Sequence, residues 1–175
     1  MQANDKIRFL RNLRAVRNYT PEQISEDVLS DILEVGRWSG SASNRQGTEV
    51  VVVRDSKTMQ RMSEVGARPA AGATVALVVV TSGDAERHDL NIFDSGRLVE
   101  RLLLAADAHG SGGNIATLKE DGPDIIKQML GIPAEKRIWI LVTLGYVDEE
   151  ADRPRPKSPT AGRKPTEDFV HWDSY

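Results

Sequence analysis

Three apolar runs constrain the fold of this chain more than any other feature of its sequence. They occupy residues 49–54, 74–81 and 137–146, and the first contains four consecutive valines. Runs of this length and composition predict strands, and their apolar character on both faces predicts strands that are covered on both sides. The longest uninterrupted apolar stretch, residues 75–80, is too short to span a bilayer.

Five segments with apolar residues at helical spacing accompany these strands. We predict helices over residues 5–14, from a Ser25 N-cap to 36–38, and over 56–65, 90–109 and 123–130. The longest is rich in apolar and small residues on several sides, so we expect it to be central and largely buried. Initial helices followed by three strands interleaved with helices indicate a mixed α and β architecture, not a repeating βαβ series.

The C-terminal segment differs from the rest of the chain. Residues 148–175 are rich in proline and charge until an aromatic and apolar sequence at 169–172. We interpret residues 1–147 as the folded body and residues 148–175 as an extended arm of the same domain. The aromatic end predicts that this arm docks on another surface.

The composition excludes several classes of function. The chain has no cysteine, which removes disulfides, thiolate nucleophiles and iron–sulfur or zinc–thiolate centres. Its three histidines are dispersed without metal-ligand spacing, and the GxSxG motif of serine hydrolases is absent. The net charge of −3 gives no basic surplus for nucleic acid. No apolar signal segment opens the sequence, so we expect a cytoplasmic protein without membrane attachment.

Two features could bind a ligand. The glycine-rich residues 110–114 follow a predicted helix, whereas dinucleotide-binding and P-loop glycines follow a strand. They form either a helix C-cap with a turn, or a place where backbone approaches a flat ligand closely. The second feature is basic. Arg14 and Arg17 lie three residues apart, Arg163 and Lys164 lie near the C terminus, and such side chains are either solvated or suited to phosphate oxygens.

Five pieces of sequence, taken together and in order, resemble the FMN-dependent nitroreductase family, in a short form. The first is similar to the family's RRSxR motif with a following aromatic residue, and the second to its PSxxNxQ loop. The others are similar to its D-x-G helix with a glycine-rich end, its LGIP and GY segments, and its C-terminal RKP and VHW arm. In this chain they read LRAVRNY at 13–19, GSASNRQ at 40–46, DSG at 94–96 with 102–112, LGIP and LGY at 130–133 and 144–146, and GRKP and VHW at 162–165 and 170–172.

The resemblance implies a fold, an assembly and a cofactor. The fold would be an α+β three-layer α-β-α sandwich with a mostly antiparallel central sheet. The assembly would be a homodimer that exchanges its C-terminal arms and holds two FMN molecules at the subunit interface. Carried over by position, the cofactor-binding residues are Arg14, Ala15, Arg17, Ser41, Asn44, Gln46, Gly112, Gly113, Arg163 and Lys164.

The same resemblance assigns these residues to parts of the cofactor. Arg14, Arg17 and Arg163, with Lys164, would lie at the phosphate and ribityl end. Ser41, Asn44 and Gln46 would contact the flavin partly from across the interface. Backbone N–H groups of Gly112 and Gly113 would approach the isoalloxazine ring.

Several positions depart from the family pattern. Leu13 and Ala15 stand where the family has an arginine and a serine that commonly serve the phosphate end. Losing a charged and a hydroxyl contact predicts FMN binding that is weaker by about 2 kcal/mol, roughly thirtyfold. Gly40 replaces the proline of the PSxxNxQ loop. The brief stretch between residues 65 and 74 predicts an open site without a large covering insertion.

The resemblance implies an FMN-dependent oxidoreductase. NADH or NADPH would reduce the flavin and leave, and a flat acceptor such as a nitroaromatic or a quinone would then take its place. Hydride transfer on flavin needs no protein nucleophile, so no catalytic side chain and no metal is expected. Two alternatives stay open: other flavin chemistry on this fold (dehalogenation, heterocycle oxidation or flavin degradation), and flavin or small-ligand binding without turnover.

Overall fold

The computed structural model describes residues 3–152 and 162–175 of the chain. At its centre is a four-stranded antiparallel sheet with the strand order β1-β2-β4-β3. The strands are β1 (Thr48–Val53), β2 (Val75–Thr81), β3 (Gly112–Ala116) and β4 (Arg137–Gly145). Every residue of β2 is buried, which agrees with its predicted position under cover on both faces.

Five helices begin and end within two residues of the predicted bounds. Ser25 caps the second helix, as predicted, since its Oγ accepts the Val28 N–H at 3.3 Å. Gly131 ends the fifth with the left-handed backbone (φ 65°) that glycine adopts without strain. The helices are α1 (Ala3–Asn12), α2 (Glu26–Arg37), α3 (Ser56–Glu64), α4 (His88–Ala108) and α5 (Gly122–Leu130).

The helices cover both faces of the sheet. Alternate residues of a strand point to opposite faces, and β2 supplies apolar side chains to both. Val75, Leu77 and Val79 share one core cluster with α2 and α4. Ala76, Val78 and Val80 share the other with α3 and α5. The predicted three-layer α-β-α sandwich with an antiparallel central sheet is therefore confirmed.

The prediction of three strands is wrong, because the structure has four. Residues 112–116 form β3, which pairs with β4 from Gly112 opposite Gly145 to Ala116 opposite Leu141. Two consecutive glycines have low strand propensity, so the local sequence does not indicate a strand here. Of the expected helix C-cap and turn, only the cap is present, since Gly110 (φ 72°) follows the end of α4.

The prediction that β1 is covered on both faces is also wrong. This strand lies at one edge of the sheet, and Val52 is 38% exposed. The long helix α4 is central, as expected, with a buried face that includes Leu98, Leu102 and Ala106, but Phe93 is 64% exposed.

Both ends of the described chain expose apolar side chains. Ile7 and Leu10 of α1 are each more than half exposed, and in the terminal segment Phe169 and Trp172 are 72% and 81% exposed. Residues 153–161, which hold most prolines of the predicted arm, lie outside the described residues, and the division into body and arm stays a prediction. None of the helices in the described part of the chain combines the length and hydropathy needed to cross a bilayer.

Candidate functional site

The segment that carries Arg14 and Arg17 is fastened to the sheet on one side. Ala15 forms a parallel bridge with Gly113, and the Val16 N–H donates to the Gly113 carbonyl at 2.8 Å. The segment therefore extends along β3, at the opposite edge of the sheet from β1.

A second set of bonds ties the same segment to the chain that follows β4. The Asp152 carboxylate accepts the backbone N–H groups of Arg17 and Asn18 at 3.0 and 3.1 Å. The Thr20 N–H donates to the Tyr146 carbonyl at 2.9 Å. With both sides bonded, the backbone at Arg17 is fixed in the fold.

Tyr19 attaches this segment to β4 from inside the protein. Its hydroxyl donates to the Val16 carbonyl at 2.6 Å and lies 2.9 Å from Thr143 Oγ1. Burial raises the pKa of Tyr19 to about 12, and the hydrogen bond with Thr143 opposes part of that rise. The phenol is therefore neutral at ordinary pH, and its hydrogen bonds hold the segment at Val16 to Thr143 of β4.

Two adjoining cavities open beside the fastened segment. One of about 310 Å³ is lined by Arg14, Ala15, Arg17 and Gly113, and another of about 500 Å³ by Arg17 and Arg68. Both include Asn114 and Ile115 of β3 in their walls. Ile115 is 45% exposed within a strand whose other residues are buried, so it offers an apolar surface to the space in front of β3.

The charged side chains in the walls of these two cavities are Arg14, Arg17 and Arg68. Among the described residues, neither Arg17 nor Arg68 forms an ion pair with a carboxylate. The Arg14 guanidinium is partly engaged, because its Nη1 donates to the carbonyls of Arg11 and Leu13 at the end of α1. Two exposed guanidinium groups beside an apolar strand suit a ligand that combines anionic groups with a flat ring.

The identities of Gly112 and Gly113 follow from packing against protein. A Cβ on Gly113 would lie 2.6 Å from Leu103 Cδ2 and 2.8 Å from Leu144 Cδ2. A Cβ on Gly112 would collide with the side chain of Val16. Close approach of a ligand is thus not needed to explain either glycine, although Gly113 does line the smaller cavity.

The predicted residues of the 40–46 loop lie elsewhere. Ser41 and Gln46 line a separate cavity of about 380 Å³ between α2, β1 and α4, which shares no lining residue with the two beside β3. Asn44 is exposed in the same loop. A single chain therefore does not bring these side chains to Arg14 and Arg17.

Arg163 and Lys164 lie in the terminal segment. Both are exposed, and the Lys164 ammonium lies 5.7 Å from the ring centre of Phe169 in the same segment. The structure places neither of them in the walls of the cavities beside β3. Their predicted role at a phosphate stays a prediction.

Sequence reasoning missed Arg68, Asn114 and Ile115. Asn114 closes the glycine-rich segment 110–114, so recognition of β3 would have indicated it and the outward-facing Ile115. Arg68 lies in a short 3-10 helix at Arg68–Ala71 and carries no signal in the local sequence. Only the folded chain brings it beside Arg17.

Comparisons with known proteins show what this chain is similar to in sequence. The model of the Nitroreductase family matches residues 10–74. An NADH dehydrogenase of Thermus thermophilus is 28% identical over 174 residues, covering 78% of this chain and 84% of that protein. An NADPH-flavin oxidoreductase of Vibrio harveyi is 23% identical, covering 87% of this chain and 70% of that protein.

The fold is also that of solved structures. An FMN-dependent nitroreductase from Clostridium difficile superposes with a TM-score of 0.81 at 20% identity, covering 97% of this chain and 99% of that one. The resemblance seen in the sequence motifs is confirmed. The chain is similar in sequence to the Nitroreductase family over residues 10–74, and its fold is that of a solved nitroreductase over almost the whole chain.

Proposed function

We propose that this protein is an FMN-dependent oxidoreductase that uses NADH or NADPH to reduce flat acceptors such as nitroaromatics or quinones. The observation that carries the proposal is the pair of cavities along β3, where Arg17 and Arg68 flank the apolar side chain of Ile115. The names of the relatives, an NADPH-flavin oxidoreductase among them, support the same activity.

The residues present fit FMN. Its phosphate and the anionic edge of its reduced ring both favour guanidinium groups, which Arg14, Arg17 and Arg68 supply. Ile115 offers a surface on which a flat ring can lie, and the amide of Asn114 is available in the same wall. When bound, FMN supplies the hydride chemistry, which accords with a chain that has no cysteine.

A homodimer completes the proposed site. Ser41, Asn44 and Gln46 are then brought to FMN from the second copy, because within one chain Ser41 and Gln46 line a different cavity and Asn44 is exposed in the same loop. Exposed Phe93 on α4 and the exposed aromatic residues of the terminal segment support contact between copies. In this arrangement the terminal segment carries Arg163 and Lys164 to the phosphate end of the cofactor.

One observation favours a second candidate, FMN or small-ligand binding without turnover. Leu13 is half-buried and packs against the core beside α2 and α4, so it cannot replace the family's arginine at the phosphate. Ala15 lacks the hydroxyl of the family's serine. Weaker retention of the cofactor is expected from these two positions.

The test is an anaerobic titration of the purified protein with FMN, followed by NADH or NADPH. We expect one FMN per chain and bleaching of its visible absorption by one of the two reductants. A protein that fails to take up FMN contradicts the proposal. A yellow protein that neither nucleotide bleaches supports the second candidate instead.

The placement of the cofactor is tested by Arg17→Ala with Arg61→Ala as its control. Both changes remove one positive charge from an exposed position, but Arg61 lies on α3, outside the walls of the cavities beside β3. Loss of a charged hydrogen bond predicts an FMN Kd at least about tenfold higher for Arg17→Ala alone. Equal Kd values for the two variants would count against this placement.

A further inference from the structure

A buried carboxylate on α4 holds the loop that carries Ser41, Asn44 and Gln46. Oδ2 of Asp94 accepts the backbone N–H of Ala42 at 3.0 Å. Asp94 is only 8% exposed, and it lies in the middle of α4, 52 positions along the chain from Ala42. The helix α4 thus holds the loop backbone at Ala42.

The backbone of this loop needs such a fixed point. Ser43, Asn44 and Gln46 all have left-handed backbone, with φ of 52°, 54° and 52°. Each costs on the order of 1 kcal/mol for a residue other than glycine, so the surroundings must impose the conformation. Inside the loop, Ser41 Oγ accepts the Gln46 N–H at 2.8 Å, which closes the turn but does not attach it to the body.

Arg97, one turn further along α4, restricts the entrance of the loop. A Cβ on Gly40 would collide with its guanidinium, so this side chain lies directly against the loop backbone. Arg97 Nη1 is also 3.9 Å from Oδ1 of Asp94. Asp94 and Arg97, one helical turn apart on α4, therefore contact the loop on either side of Ser41. Arg97 lies against Gly40, and Asp94 accepts the Ala42 N–H.

Stability alone does not account for a carboxylate here. Oδ1 of Asp94 is buried and forms no hydrogen bond within the described residues, and its ion pair with Arg97 is long. A carboxylate removed from water with incomplete compensation contributes little to folding. Within the part of the chain that the structure describes, the one short hydrogen bond of this carboxylate is the bond to the loop.

We propose that Asp94 is a positioning residue of the flavin site: through the Ala42 N–H it sets the loop whose side chains reach FMN. The inference rests on the proposed function, since the loop matters only if FMN binds. It assigns to α4 a role in cofactor affinity without any contact between Asp94 and FMN.

The experiment compares the FMN Kd of the full-length protein with that of three variants, measured by quenching of flavin fluorescence. Asp94→Ala removes the acceptor, and we expect an FMN Kd about tenfold higher or more. Asp94→Asn keeps an oxygen that can accept the Ala42 N–H, so we expect a Kd within about threefold of the original. Ser95→Ala is the control, because Ser95 is also buried on α4 but its Oγ donates to the Asn91 carbonyl of its own helix.

Unfolding of each apo-protein in urea separates positioning from general destabilisation. Ser95→Ala should lower the free energy of unfolding and leave the FMN Kd unchanged, whereas Asp94→Ala should change the Kd. An unchanged Kd for Asp94→Ala, or equal increases for Ser95→Ala and Asp94→Ala, would overturn the inference. If the original protein itself binds no FMN, the proposed function fails, which is a different result.

If Asp94→Ala does not fold, a measurement on the original protein tests the positioning role of Asp94. Amide hydrogen exchange at Ala42 and Gln46 reports on the two bonds that hold the loop. We expect both amides to exchange more slowly once FMN is bound, because the ligand selects the held conformation. Exchange at Ala42 that FMN does not slow would refute a positioning role for Asp94.

Discussion

Removal of a single hydroxyl group, by Tyr19→Phe, tests how the segment that carries Arg14 and Arg17 is attached to the sheet. The ring is buried and packs closely on Gly145, where an added Cβ would lie 2.8 Å from its Cδ1. The phenylalanine ring should therefore occupy the same place. The change then reports on the hydroxyl alone.

The expected loss of stability follows from the bonds of that hydroxyl. Without it the buried Val16 carbonyl loses a donor at 2.6 Å, and Thr143 loses a partner at 2.9 Å. Leaving such groups without partners costs about 2 kcal/mol. For a protein of this size that corresponds to a fall in Tm of roughly 4–8 °C.

The loss must depend on pH in a defined direction. Burial raises the pKa of Tyr19 from 10.0 to about 12, so the folded protein keeps its phenol neutral after the unfolded chain has begun to ionise. The stabilising contribution of Tyr19 is complete below pH 10 and declines as the pH rises towards 12. The difference between the original protein and Tyr19→Phe should therefore narrow over that interval.

Urea unfolding at pH 8 and at intervals above pH 10 measures this difference, with Tyr175→Phe as the control because Tyr175 is fully exposed. Two results would refute the reasoning. One is a difference below about 0.5 kcal/mol at pH 8, where a lost buried hydrogen bond should cost more. The other is a difference that stays constant through pH 11.5.

Two further predictions concern β3 and the terminal segment. Gly113→Ala should destabilise the protein by about 1–3 kcal/mol in urea unfolding, because the added Cβ meets Leu103 and Leu144. Gly96→Ala, where a Cβ meets nothing within 4 Å and the residue lies in α4, should be neutral or stabilising, and equal losses would contradict the packing argument. Truncation after Asp152 should abolish the dimer and FMN retention together, as measured by size-exclusion chromatography with absorbance detection; a yellow truncated dimer would contradict the proposed arm exchange.

The sequence predicted the centre of the fold better than its edges. Residues 75–81 are apolar on both faces because both faces of β2 are covered. The local pattern is therefore sufficient to predict a buried strand here. Residues 50–53 have the same pattern, yet β1 is an edge strand with Val52 exposed. Position within a sheet depends on which strands pair, and a single strand's sequence does not record it.

The strand β3 escaped prediction for a different reason. Its glycines are explained by packing against Leu103 of the preceding helix and against Val16 and Leu144, which are distant in sequence and meet β3 only after folding. The candidate site was likewise predicted only in part. Arg14 and Arg17 belong to a motif, whereas Arg68 comes beside Arg17 only through tertiary packing.

The free edge of β1 has a consequence for the protein at high concentration. Its outer backbone N–H and C=O groups have no strand beside them among the described residues. The strand itself, with the sequence TEVVVV, contains no proline and no lysine. An edge of this kind accepts an extended segment from any neighbour, including another folding chain. At high protein concentration this edge therefore favours irregular self-association between chains, and the solubility of the protein is expected to fall.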